Sequence, residues 1–103
     1  MDWNTALIFR AGTDIRTNTD EPITPANGLR FTLSELCPLL GCTTIEVLPL
    51  RGGSLMLIDK EGKLTGKLQN DMATLFAQLA NKIGPDDFIF GDVALIRDTQ
   101  LAS

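Results

Sequence analysis

The sequence predicts an α+β fold, a small and mainly antiparallel sheet of hairpin or meander type with two helices packed on one face. Three observations carry this. Short apolar runs separated by Gly-marked turns read as strands joined in hairpins. Two stretches with helical caps, near Thr32 and Asn70, stand well apart in the chain. Strands in hairpins with separated helices belong to the class in which helices cover an antiparallel sheet. With 103 residues, a single domain over 1–103 is expected.

The elements follow in order. Thr5-Ala6-Leu7-Ile8-Phe9 is an apolar run of strand length and opens the sheet. Residues 12–28 are polar and rich in turn formers, among them Asp20-Glu21-Pro22 and Thr24-Pro25-Ala26-Asn27-Gly28. They read as a long polar loop, or as a loop hiding a short strand around Ile15 or Ile23. Loops of this length in small domains often carry function. Thr32-Leu33-Ser34-Glu35 has capping-box spacing, so a short helix is expected through Leu36 towards Leu40. Pro38 is expected to bend or stop it, with Gly41 as a left-handed terminator.

Ile45 and Val47 alternate with Thr44, Glu46 and Leu48, predicting a strand over Thr44–Leu50. Arg51-Gly52-Gly53-Ser54 connects it in a hairpin to Leu55-Met56-Leu57-Ile58. Asp59-Lys60-Glu61-Gly62 marks a second tight turn, with Gly62 suited to positive φ. Lys63-Leu64-Thr65 then reads as a short third strand of a meander. Asn70 is placed to cap a helix over about 70–83, with Asp71 at the positive end of its dipole. Met72, Leu75, Phe76, Leu79 and Ile83 recur at helical spacing, and Gly84-Pro85 closes the element. Phe88 to Ile96 is predicted as a central strand, with Gly91 marking a bulge or a close backbone approach. Residues 97–103 read as a frayed tail.

Several of these pieces occur together in a known pattern. Phe31-Thr32-Leu33-Ser34-Glu35-Leu36, Ile45-Glu46-Val47, Asp59-Lys60-Glu61-Gly62-Lys63-Leu64, Asn70, Ala73-Thr74-Leu75 and Asp87-Phe88-Ile89-Phe90-Gly91-Asp92-Val93 follow one another. In that order they resemble domain-of-unknown-function family 3846, small uncharacterised proteins of bacterial, phage and plasmid genomes, over roughly residues 29–96. One departure is visible: Gly41-Cys42-Thr43-Thr44 stands where the family has a Gly-Gly pair before Ile-Glu. The resemblance implies no assigned activity. It implies an accessory setting in a mobile genetic element, where small proteins bind host factors or signal molecules.

Composition narrows the chemistry. Nine basic residues against thirteen acidic give a net charge of −4, too little positive field for binding along a nucleic-acid backbone. No run approaches the length of a membrane span. Met1-Asp2-Trp3-Asn4 is no basic leader, and a cytoplasmic location is expected. There is no histidine, so a Cys–His nucleophile is excluded, and Cys37 and Cys42 alone cannot make a four-ligand zinc site. They are expected to be free thiols. Gly62-Lys63 and Gly66-Lys67 lack the spacing and context of a phosphate loop. No metal and no cofactor is expected.

The favoured reading is a small non-enzymatic binding protein whose partner is a host protein or a small anionic, nucleotide-like ligand, with homo-oligomerisation through a strand edge or helix face. The proposed contacts are Arg10, Arg16 and Arg30 around the polar loop, with the turn cluster Arg51, Lys60 and Lys63, because clustered cations hold anions through charge-assisted hydrogen bonds. A catalytic alternative is a hydrolase or transferase using Asp92 with Asp59 or Glu61, which needs one carboxyl with a raised pKa. A structural subunit of a larger assembly is the third possibility, to be marked by an apolar surface patch well above the usual monomer size. Trp3 either finishes the core or sits exposed as an interface anchor.

Overall fold

Five strands form one sheet in the order β2-β1-β5-β4-β3, and every neighbouring pair is antiparallel. The computed structural model describes residues 6–12, 21–25, 28 and 30–101. Arg16, Trp3 and most of the 12–28 loop lie outside the described residues. In chain order the elements are β1 (Ala6–Phe9), β2 (Glu21–Ile23), α1 (Leu33–Leu40), β3 (Ile45–Pro49), β4 (Ser54–Asp59), α2 (Asp71–Leu79) and β5 (Val93–Arg97). The α+β class with an antiparallel sheet is as the sequence predicts, and Ile23 falls in β2.

The helices do not share a face of the sheet, contrary to expectation. Ile8, Leu57, Ala94 and Ile96 pack with Leu36 and Leu40 of α1. Phe9, Met56, Ile58 and Val93 pack with Ala73 and Ala77 of α2 on the other side. The register explains this: Ile8 faces Ala94 and Ala94 faces Leu57, while Leu7 faces Leu95 and Leu95 faces Met56. Both sets are apolar, so both faces must be covered. Leu55-Met56-Leu57-Ile58 and Val93-Ala94-Leu95-Ile96 are unbroken apolar runs for that reason, the pattern of strands buried on both sides. Each hides from water side chains worth about 1.5–3 kcal/mol apiece when fully buried.

Helix α1 begins with a full capping box, in which Thr32 Oγ1 accepts from the Glu35 amide and Glu35 Oε1 accepts from the Thr32 amide. It runs through Pro38 to Leu40 and ends at Gly41, left-handed at φ 63°. Helix α2 is shorter than predicted. Asn81 takes φ 58° and the Lys82 amide reaches back to the Ala77 carbonyl, closing the helix before Gly84-Pro85.

Asn70 does more than cap α2. It is fully buried; Oδ1 accepts from the Ala73 amide, while Nδ2 donates to the carbonyls of Phe9 (2.8 Å) and Gly91 (3.0 Å). The start of α2 is therefore tied to the end of β1 and to the approach to β5. Thr74 extends the tie, donating to the Asn70 carbonyl and accepting from the Ile89 amide. Phe76 stacks on Phe9 with ring centroids 5.6 Å apart.

Three further expectations are corrected. Lys63-Leu64-Thr65 is no strand: Thr65 turns back onto the Glu61 carbonyl and Leu64 is 87% exposed, because β5 occupies the place beside β4. The last strand starts at Val93, since Phe90 makes only an isolated bridge to Gln69 and Gly91 breaks the run at φ 89°. Its central position between β1 and β4 is as predicted. The chain beyond β5 is not frayed through Leu101. A 3₁₀ turn over Asp98–Gln100 buries Gln100, whose carbonyl accepts from the Phe31 amide, and Leu101 bridges Phe31.

Candidate functional site

Two charged regions stand out, and they differ in kind. The first lies at the C-terminus of α1, which has no basic residue in its last turn to meet the negative end of its dipole. Two cations arrive from elsewhere. Arg10 Nη1 donates to the Leu39 carbonyl (3.3 Å) and to Asp92 Oδ2 (2.8 Å). Lys67 Nζ donates to the carbonyls of Leu40 (3.1 Å) and Gly41 (2.7 Å) and lies 2.6 Å from Asp59 Oδ2. Each cation thus bridges a sheet carboxylate to the helix end. The remaining oxygens are used as well: Asp92 Oδ1 accepts from the Ala11 amide and Asp59 Oδ1 from the Glu61 amide.

The same contacts set the surroundings of the carboxylates named for catalysis. Asp59 and Asp92 stand on the α1 side of the sheet, so position alone would let them cooperate. Burial works to raise the Asp59 pKa, but the Lys67 hydrogen bond, the Glu61 amide and the Lys67 charge outweigh it and hold the carboxyl below its ordinary value. A general acid needs the opposite shift. The Glu61 side chain is exposed, and only its amide joins the cluster. What Arg10, Asp59 and Asp92 do here is clamp α1 to the sheet.

The second region is a cleft of about 420 Å³ on the α2 side, within the size range of small-molecule sites. Its floor is Leu48 and Ile58 of the sheet with Ile83 and Ile89. Lys60, Lys63 and Lys82 stand around it with Glu46 and Asp87. Lys63 donates to Asp87 Oδ1, and its Nζ sits 5.9 Å from the centroid of the Phe90 ring. The Lys63 hydrogen bond, with the Phe88 amide, pulls the Asp87 carboxyl below its ordinary pKa. Leu64, 87% exposed, and Phe88, 39% exposed, present apolar surface at the same cleft.

The sequence-predicted cations therefore separate. Lys60 and Lys63 come together at the cleft. Arg51 does not join them: it lies in the 3₁₀ turn before β4, whereas Lys60 follows β4, about 20 Å away along a six-residue strand. Arg10 belongs to the clamp, and Arg30 is exposed just ahead of the α1 cap, at the opposite end of that helix. Lys82 was missed, nineteen residues beyond Lys63. Asn81 is the signal that could have found it, since a left-handed Asn at the helix end turns the next residue back towards the sheet.

Among the described residues no three side chains of metal-ligating type gather, and no helix is long and apolar enough to cross a membrane. No family model, curated protein or solved structure matches this chain.

Proposed function

We propose that this protein is a small non-enzymatic binding module, cytoplasmic, that takes an anionic ligand with an apolar or aromatic portion in the lysine-lined cleft. The observation that carries the reading is the meeting of Lys60, Lys63 and Lys82 over an apolar floor, with Leu64 and Phe88 exposed beside them. Lysines supply mobile cationic donors for a phosphate or carboxylate, and the apolar wall suits a base or other flat group. A nucleotide-like ligand has both parts. The resemblance to domain-of-unknown-function family 3846 supports an accessory role in a mobile genetic element, as a binder of a host signal.

A protein partner, a host factor or a second copy, is the second reading. It rests on β3, which ends the sheet with Ile45 and Val47 half-buried beside α1 and offers an edge that an added strand could pair with.

Native mass spectrometry against a nucleotide panel, followed by titration calorimetry, tests the first reading. Changing Lys60, Lys63 and Lys82 together to Gln should weaken nucleotide binding by at least about tenfold, since each charge-assisted hydrogen bond contributes about 1.5–3 kcal/mol. Stability should stay within about 0.5 kcal/mol, because all three are exposed side chains. Absence of any nucleotide complex would reject the ligand reading, and a dimer mass in the same spectra would favour the edge-strand one.

A further inference from the structure

Cys37, in the last turn of α1, and Cys42, just past its Gly41 terminator, bring their sulfurs to 3.6 Å, with the Cys42 thiol donating to the Cys37 sulfur. The backbone is already folded to this purpose. Gly41 is left-handed, and the Cys42 amide donates to the Cys37 carbonyl at 3.0 Å, so both residues sit on one side of a closed turn. Both are half-buried and line an open groove with Leu33, Pro38 and Ile45, which leaves a small reagent a way in. A disulfide needs the sulfurs about 2 Å apart. A side-chain rotation closes that gap more readily than a movement of the turn would.

We propose that Cys37 and Cys42 form a reversible dithiol site that exchanges with low-molecular-weight disulfides of the glutathione type. Cys37, as thiolate, attacks one sulfur of the external disulfide; a mixed disulfide forms and one small thiolate leaves. Cys42 then loses its proton to solvent and attacks the Cys37 sulfur, releasing the second small thiolate. The protein's two thiols are oxidised to one disulfide while the external disulfide is reduced to two thiols, and the exchange runs backwards when small thiols are in excess. The order follows from burial and the hydrogen bond together. Burial and then the Cys37 sulfur push the Cys42 thiol up to about 11, so Cys42 stays protonated until the mixed disulfide has formed beside it. The motif was legible in part: two cysteines five apart flanking a Gly are visible, but the closing of the turn that faces them is not.

The full chain is incubated with excess glutathione disulfide, trapped with iodoacetamide and weighed intact. The expected product is a monomer lighter by two hydrogens, carrying no alkyl group and no glutathione, and restored by reduced glutathione. Cys42→Ser should stop at a glutathione adduct on Cys37. Cys37→Ser should acquire its adduct on Cys42 more slowly than Cys42→Ser acquires one on Cys37, because burial, the larger cause of the raised Cys42 thiol, remains when the Cys37 sulfur is gone. Two alkylatable thiols surviving in the wild-type chain would overturn the proposal. So would stable glutathione on both residues, or disulfides formed between chains in place of the internal one.

Discussion

Asn70 shows how one side chain can hold three elements, and a conservative substitution separates its two roles. As a helix cap, Asp is as good as Asn. If capping were all, Asn70→Asp would leave stability nearly unchanged. But Nδ2 supplies the donors for the Phe9 and Gly91 carbonyls, and a carboxylate supplies none. Two buried acceptors would then face a buried charge, and the expected loss is about 3 kcal/mol in urea unfolding. A loss within about 0.5 kcal/mol would reduce Asn70 to a simple cap. Asp59 makes a different demand. Only 5% of its side chain is exposed, against 24% for Lys67, so removing its charge strands a mostly buried cation. Asp59→Asn should cost about 2 kcal/mol at neutral pH, less than a fully buried pair because Lys67 keeps contact with water. The pH dependence has a definite sign. The folded carboxyl titrates below the ordinary 3.8, so the unfolded chain takes up the proton first as pH falls. The stabilisation is complete above the ordinary value and is lost as pH drops through the lower folded one. The stability difference between wild type and Asp59→Asn should therefore be flat from neutral pH to about 5 and shrink below about 4. A difference that persists undiminished in acid would assign the effect to packing.

At the scale of elements, glycines that look alike in sequence serve different ends. Gly62 lies outside the positive-φ glycines of the described residues; a Cβ there would stand 2.7 Å from the Phe90 carbonyl oxygen. Gly66 is left-handed at φ 73° with open space around it. Gly62→Ala must push two backbone segments apart and should cost about 3 kcal/mol, whereas Gly66→Ala should cost about 1 kcal/mol through backbone strain alone. Thermal unfolding of the two variants orders them, and equal losses would mean that the 59–66 turn yields easily. The same contrast explains what could be read in advance. The α1 cap, the Gly41 stop and the β3–β4 hairpin were legible because their signals are local. Gly62, the Lys63–Thr65 turn and the start of β5 were not, because each is set by what comes to lie beside it. Phe90 crowds Gly62 from twenty-eight residues away, and β5 takes the sheet position that a strand at Lys63 would have needed. The candidate site divides likewise: Lys60 and Lys63 are sequence neighbours, while Lys82 joins them only because Asn81 ends α2 early. Arg10 and Asp92 carry the right charges for a site, but the C-terminal end of α1, which has no basic residue in its own last turn, uses them.

For the whole molecule, the consequence of two covered faces is that no half of the fold can stand without the other. Met56 and Leu57 are adjacent, fully buried, and point to opposite sides, one under α2 and one under α1. Each truncation to Ala should cost about 2–5 kcal/mol, a large part of the roughly 5–15 kcal/mol that holds a domain together. Were the layers separable, Met56→Ala would loosen α2 alone and Leu57→Ala would loosen α1 alone. They share one sheet, and in β5 Val93 serves one core while Ala94 serves the other. A domain of this size has little surface to lose before its burial falls short. Either variant should therefore lower the denaturant midpoint with an unchanged slope. Hydrogen exchange at Leu36 and Ala77, one in each helix, should accelerate by the same factor in both variants. Unequal acceleration that follows the mutated face would show two cores that open separately. In that case the lysine cleft on the α2 side and the thiol pair on the α1 side would report independent events, and ligand binding at one would leave the chemistry of the other untouched. With a single cooperative core, stabilisation by a ligand that binds only the folded state is felt at both, by linkage. A cleft ligand would then slow thiol modification wherever that modification requires global opening.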